Sequence, residues 1–197
     1  METFTTKTFN IPKLVGISEK TIEEHRKLYK GYVTNTNTIF NKLYELKNDP
    51  EKNAFILGEL QRRLGFEFGG MRNHEYYFSS LSDGSKEINK EGSLYKSLEK
   101  EWGSFENFLN HFKFVALTRG IGWAMLYYDK SSDKLIISWV DEQHLGHLAG
   151  TSIVLALDMW EHSYYLDYTP AEKKKYIESF FANLNWSIIE QNFKNAS

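Results

Sequence analysis

SIVLALDMWEHSYYLDY, residues 152–168, changes character at Asp158. The apolar run from Ile153 to Leu157 is short and rich in branched side chains, which reads as a buried strand rather than a helix. Asp158 follows it directly, so the strand delivers a carboxylate to the edge of the core. His162 lies four residues later, near the start of a predicted helical stretch. A carboxylate in that position needs a hydrogen-bonded or charged partner, because an isolated buried charge is too costly.

Upstream, WAMLYYD and KLIISWV are β-rich runs separated by KSSD, which predicts an antiparallel hairpin over about 123–140. The first half of the chain is instead helical in pattern. SEKTIEEH opens a helix, with Ser18 as candidate N-cap and Thr21 and Glu24 as a candidate capping box, and the helix is expected to reach about Lys47. His25 joins its apolar face, preceding Leu28, Tyr29 and Tyr32. Asp49-Pro50 ends this helix. EKNAFILGELQRRL then predicts a second, interrupted at Gly65, and a third begins at about Gly69. In that third stretch His74, Tyr77, Phe78 and Leu81 share a face, so a second histidine points inward. The polar, turn-rich stretch 81–93 separates this half from the rest. Beyond it, helical patterning resumes from about Leu94 and includes a segment from Ser104 to Gly120, and a terminal helix is expected from Pro170 to Ile189.

The composition narrows the chemistry. With 197 residues, 41% hydrophobic and 25% charged, the chain is expected to fold as a soluble globular protein of one domain or two small lobes. It has no cysteine, which excludes disulfide scaffolds, thiolate catalysis and thiolate-held metals. A net charge of −2 argues against nucleic acid as a partner. No window is apolar enough to span a membrane and no leader pattern opens the chain, so a cytoplasmic location is expected. Aromatic residues reach 16%, enough either for a large aromatic core or for a ring-walled pocket. Any metal must be held by histidine and carboxylate. Asp158, His162, His25 and His74 could together hold a borderline first-row metal such as iron or manganese, or zinc. The spacing equally allows a structural aspartate–histidine hydrogen bond.

DMWEHSYYLDY resembles the D-x-W-E-H-A-Y signature of the iron/manganese superoxide dismutases. TIEEH followed by YVTNTN is similar to that family's first ligand helix, RNHEYYF to its second ligand segment, GIGWAMLYYD and LIISWV to its sheet hairpin, and NLNWSII to its C-terminal helix. These landmarks stand in the family's order over residues 17–190. The resemblance implies an α+β fold: an N-terminal antiparallel α-hairpin lobe (1–84) and a C-terminal α/β lobe (85–197) with a three-stranded antiparallel sheet, the metal lying between the lobes. It implies disproportionation of superoxide to oxygen and hydrogen peroxide at one iron or manganese ion per chain, cycling between M(III) and M(II), in a homodimer. The implied ligands are His25, His74, Asp158 and His162. Tyr32 matches the tyrosine at the substrate entrance, Trp123 and Trp160 the cavity walls, Glu161 the acid that reaches the partner subunit's ligand histidine, and Tyr165 an interface tyrosine.

The chain also departs from the family. In HRKLYKGY, Leu28 or Tyr29 stands where a gateway histidine is usual, which raises the alternative of a metal-binding member with little or no turnover. Lys173 or Lys174 replaces an arginine after YLDY. Gly70 occupies the position where iron-type members carry glutamine, and the amide is expected from the sheet region instead, as Gln143 or, one residue on, His144. That arrangement favours manganese, or tolerance of both metals, over strict iron. His111 and His147 match no ligand position and are assigned to structure or surface.

Overall fold

The computed structural model describes residues 3–197. Ser18 caps α1 (Glu19–Leu46), its Oγ accepting the Thr21 N–H at 3.2 Å. The expected box with Glu24 does not form; the Thr21 hydroxyl instead donates to Asp167 Oδ2 at 2.7 Å, tying the helix start to the C-terminal half. The buried face of α1 carries Ile22, His25, Tyr29 and Val33, whereas Leu28 is turned to solvent. α2 (Ala54–Ser80) returns antiparallel to α1.

α2 is one helix, without the expected interruption at Gly65. Gly69 and Gly70 serve close packing rather than termination. A Cβ on Gly69 would lie 2.2 Å from the Gln143 carbonyl oxygen, and one on Gly70 would lie 2.5 Å from the Tyr32 ring. Helix hydrogen bonding through the stretch tolerates glycine at a cost of about 1 kcal/mol per residue. The missing side chains let α1 and a loop of the other half approach.

α3 (Ser93–Trp102) ends in left-handed Gly103, and α4 (Phe105–Ala116) starts at the Ser104 cap. α4 stops at Ala116, short of Gly120, which instead leads into the sheet. β1 (Gly122–Asp129), β2 (Lys134–Asp141) and β3 (Ser152–Asp158) form an antiparallel sheet in the order β2-β1-β3. β1 is central and buried almost throughout; Trp123 pairs with Asp158 across the β1–β3 ladder. After β3 the backbone makes only a short 3₁₀ turn over Glu161–Ser163, not the expected longer helical stretch.

The terminal helix is also two helices, α5 (Lys173–Ala182) and α6 (Trp186–Ala196), preceded by a 3₁₀ turn at Pro170–Glu172. The break at 183–185 has a clear cause. The Asn185 N–H donates to the Ser80 carbonyl, Lys86 N–H donates to the Leu184 carbonyl, and Trp186 N–H to the Lys86 carbonyl. Those backbone groups dock the end of α2 and cannot also serve a continuous helix. The core joins both halves: Tyr77 of α2 stacks on Phe180 of α5, and both belong with Phe78 and the residues of β1 to one buried cluster. Among the described residues no helix is long and apolar enough to cross a membrane.

Candidate metal centre

His25 comes from α1, His74 from α2, Asp158 from the end of β3 and His162 from the turn that follows. One ligand-capable atom from each lies within 4.8 Å of all the others. The three Nε2 atoms converge on one carboxylate oxygen, Asp158 Oδ2, at 3.0 Å for His25, 3.2 Å for His162 and 3.6 Å for His74. Asp158 Oδ1 is fixed by the Trp160 N–H at 2.8 Å, and its main-chain carbonyl by the hydroxyls of Tyr176 and Ser163. His25, His74 and Asp158 are wholly buried; the His162 side chain keeps 17% exposure.

Hydrogen bonding tests whether a cation belongs here. His74 Nδ1 lies 2.6 Å from the Gly70 carbonyl, which can only accept, so Nδ1 carries the proton of the neutral ring. His74 Nε2 is then a bare lone pair, buried, without a hydrogen-bond partner and facing a carboxylate oxygen. Two electron-rich atoms opposed in a dry site call for a positive charge between them. Three imidazoles and one carboxylate fit a first-row metal ion.

Electrostatics keep these groups ready to bind. Burial pulls the His25 imidazole pKa down. Burial, reinforced by His25, brings that of His74 down to about 3. Both rings are therefore neutral at neutral pH, as a metal ligand must be. For Asp158 burial acts upward, but the neighbouring His162 and His25 outweigh it and hold the carboxyl well below its usual range.

Family models described as the alpha-hairpin domain and the C-terminal domain of iron/manganese superoxide dismutases match residues 15–82 and 90–192. The chain belongs to the iron/manganese superoxide dismutase family. A relative from Aquifex aeolicus, named superoxide dismutase [Fe], is 33% identical over 188 residues, covering 93% of this chain and 87% of its own. One of the same name from Cupriavidus metallidurans is 36% identical, covering 93% and 92%. A superoxide dismutase [Mn] from Corynebacterium diphtheriae is 35% identical, covering 72% and 71%. The α+β architecture, with its helical hairpin and three-stranded antiparallel sheet, is that of the iron/manganese superoxide dismutases.

Within this family member the other expected site residues fall into two groups. Tyr32, Trp123 and Gln143 are linked: Trp123 Nε1–H donates to Gln143 Oε1 at 2.9 Å, and Gln143 Nε2–H donates to the Tyr32 hydroxyl at 3.0 Å. The Tyr32 ring lies 5.1 Å from that of His74. Burial, with the charges of Asp158 and Glu67, pushes its phenol well above the usual tyrosine range, so it keeps its proton. Trp160 stacks on His162 at 5.8 Å and donates its Nε1–H to the Glu142 carbonyl.

His144 does not join that network. Its ring packs against Phe66 at 5.7 Å and against the backbone of Gly65. Glu161 and Tyr165 lie on the surface, Tyr165 with 56% exposure. Tyr29 is buried, with its hydroxyl 3.2 Å from Glu75 Oε1, so neither it nor exposed Leu28 presents an imidazole. Lys173 sits 6.0 Å from the Tyr164 ring centroid and Lys174 points to solvent.

Phe66 was not singled out by its sequence. Its ring lies 5.9 Å from Tyr32 and 6.4 Å from Trp160, so it completes the aromatic mouth of the site. The paired glycines Gly69 and Gly70 inside a helical pattern were the available signal that another segment comes close there.

Proposed function

We propose that this chain disproportionates superoxide with one iron or manganese ion held by His25, His74, Asp158 and His162. The observation that carries the reading is the bare, buried Nε2 of His74 facing Asp158 Oδ2, on which two further histidines converge. Bound there, the ion supplies a one-electron couple: one superoxide gives up an electron and leaves as oxygen, and a second accepts it with two protons and leaves as hydrogen peroxide.

The chain's own residues orient and dose those protons. Gln143 is anchored through Oε1 to Trp123, so its amide N–H is committed to the Tyr32 oxygen. Tyr32 therefore accepts from Gln143 and its own proton is free to be offered into the mouth. Because its pKa is raised, the phenol acts as a hydrogen-bond donor and not as a standing anion that would repel superoxide. Trp123, Trp160 and Phe66 pack rings around the site and limit its contact with bulk water, and of the four proposed ligand side chains His162 alone keeps some exposure. Hydrogen bonds from such neighbours tune the potential and the acidity of solvent at a metal.

Manganese, or tolerance of both metals, is favoured over strict iron. Gly70 leaves its space to the Tyr32 ring, and the amide arrives on the β2–β3 loop instead of α2. Apoprotein reconstituted separately with manganese and iron, assayed per bound metal, tests this. Activity with manganese or with both is expected, and activity with iron alone overturns the metal assignment. A protein that holds about one ion per chain in both forms yet turns over neither would be a metal-binding member only.

A homodimer is part of the same proposal. Glu161 is exposed on the turn that carries His162, next to surface-lying Tyr165 and Leu166. Glu161 is assigned to the partner subunit's ligand histidine, while Tyr165 meets no gateway imidazole from position 28 or 29. Sedimentation equilibrium is expected to give twice the chain mass, reduced by Glu161→Ala.

A further inference from the structure

His147 lies outside the metal cluster, yet it touches the residue on which proton delivery depends. Its Nε2 stands 3.3 Å from the Gln143 carbonyl oxygen and its Nδ1 2.6 Å from the Tyr127 hydroxyl. A carbonyl only accepts, so Nε2 bears the proton and Nδ1 receives the one from Tyr127. Two bonds thus fix both the tautomer and the orientation of the ring. Tyr127 is held in the central strand β1.

Gln143 itself has little regular structure to hold it. It lies between β2 and β3, after Glu142 with φ +51° and before Gly146 with φ +95°, so no strand ladder takes its carbonyl. That oxygen is held instead by the His147 Nε2–H and by the Asn73 Nδ2–H at 3.0 Å, and it sits in the space that a side chain at Gly69 would fill. The side chain leaves the other way, towards Trp123 and Tyr32. Where the carbonyl is fixed, the reach of the amide is fixed.

We propose that His147 is a positioning residue: by holding the Gln143 carbonyl from the rigid β1 strand, it sets the depth at which the Gln143 amide meets Tyr32 and so tunes the metal's reduction potential. This rests on the reading of Gln143 given above. The test is a mediated redox titration of the manganese-loaded protein as wild type, Gln143→Leu, His147→Leu and His147→Gln, with activity per bound metal measured alongside. Gln143→Leu is expected to shift the midpoint. His147→Leu is expected to shift it in the same direction by a smaller amount and to lower activity about tenfold, the usual scale for losing an outer support of a metal site. His147→Gln is expected to restore both, because its amide N–H can reach the same carbonyl. If His147→Leu does not fold, Tyr127→Phe supplies the comparison, since it removes the proton that orients the ring.

A midpoint that moves in Gln143→Leu but not in His147→Leu overturns the positioning role. So does a His147→Gln variant as impaired as His147→Leu, which would make the ring simple packing. A midpoint unmoved in Gln143→Leu overturns the reading of Gln143 and the inference with it.

Discussion

Gly69→Ala carries the sharpest test of how the two halves are fitted together. In an exposed helix interior, alanine in place of glycine stabilises by about 1 kcal/mol, and Gly58, also in α2, has no atom within 4 Å of a built Cβ. Gly58→Ala is therefore the control. At Gly69 the same methyl lands 2.2 Å from the Gln143 carbonyl oxygen and 3.2 Å from its carbon. A comfortable carbon–oxygen contact is about 3.3 Å or more, so roughly 1 Å of movement is required, and the obstacle is backbone. Overpacking of that kind costs about 3 kcal/mol at the upper end of its usual range. Less the helix gain, the net loss is about 2 kcal/mol. For a chain of this size each kcal/mol moves the melting temperature by roughly 2–4 °C.

Gly58→Ala should then melt about 2–4 °C above wild type and Gly69→Ala about 4–8 °C below it. Thermal and urea melts of the metal-free proteins measure this. Because the displaced carbonyl belongs to the residue that bonds Trp123 and Tyr32, Gly69→Ala should also lose about tenfold in activity per bound metal. A Gly69→Ala protein as stable as Gly58→Ala and fully active would refute the close approach of α2 and the β2–β3 loop, and the argument built on it.

Asp158→Ala removes the shared carboxylate and should cost the loaded protein about 3–5 kcal/mol together with most of its metal; unchanged metal content by elemental analysis and an unchanged melt would contradict the ligand assignment. Tyr32→Phe deletes one hydrogen bond, so stability should fall by only about 1 kcal/mol with full metal content, while activity drops; full activity would remove Tyr32 from proton delivery. The pH dependence of the metal-free protein follows from the depressed imidazoles. The unfolded chain takes up protons near 6.5 while folded His74 resists until about 3. The unfolded state thus binds more protons throughout that window, and stability is lost as pH falls through it, by up to about 1.4 kcal/mol per pH unit for each such histidine. Urea midpoints that stay level between pH 7 and 4 would show that the rings are not held neutral.

Much of this was legible in the sequence because three of the four proposed ligands sit in strongly patterned elements. His25 and His74 share helix faces with apolar residues, and Asp158 closes a strand, so all three had to point inward. The α-hairpin, the β-hairpin and the third strand followed from the same periodicities. Gly65 misled because glycine signals both helix ends and close packing, and only the neighbouring α1 and the 142–148 loop decide which. Leu184 and Asn185 hid a helix break for a similar reason, since their backbone groups bond Lys86 and Ser80, about a hundred residues away. The choice between Gln143 and His144 turned on one residue of register in an irregular loop, a quantity that side-chain pattern does not encode.

The proposed ligand set has a consequence for when the ion is chosen. Its four members come from three separate stretches of chain, and three of them are sealed from solvent. Only His162 retains a view outward. An ion captured as the hairpin closes on the sheet could leave only if those stretches parted again, which is a rare opening of the whole core. Occupancy would then record the supply of metals during folding, not their relative affinities afterwards. Two samples of one sequence, made in cells rich in manganese or rich in iron, would carry different histories.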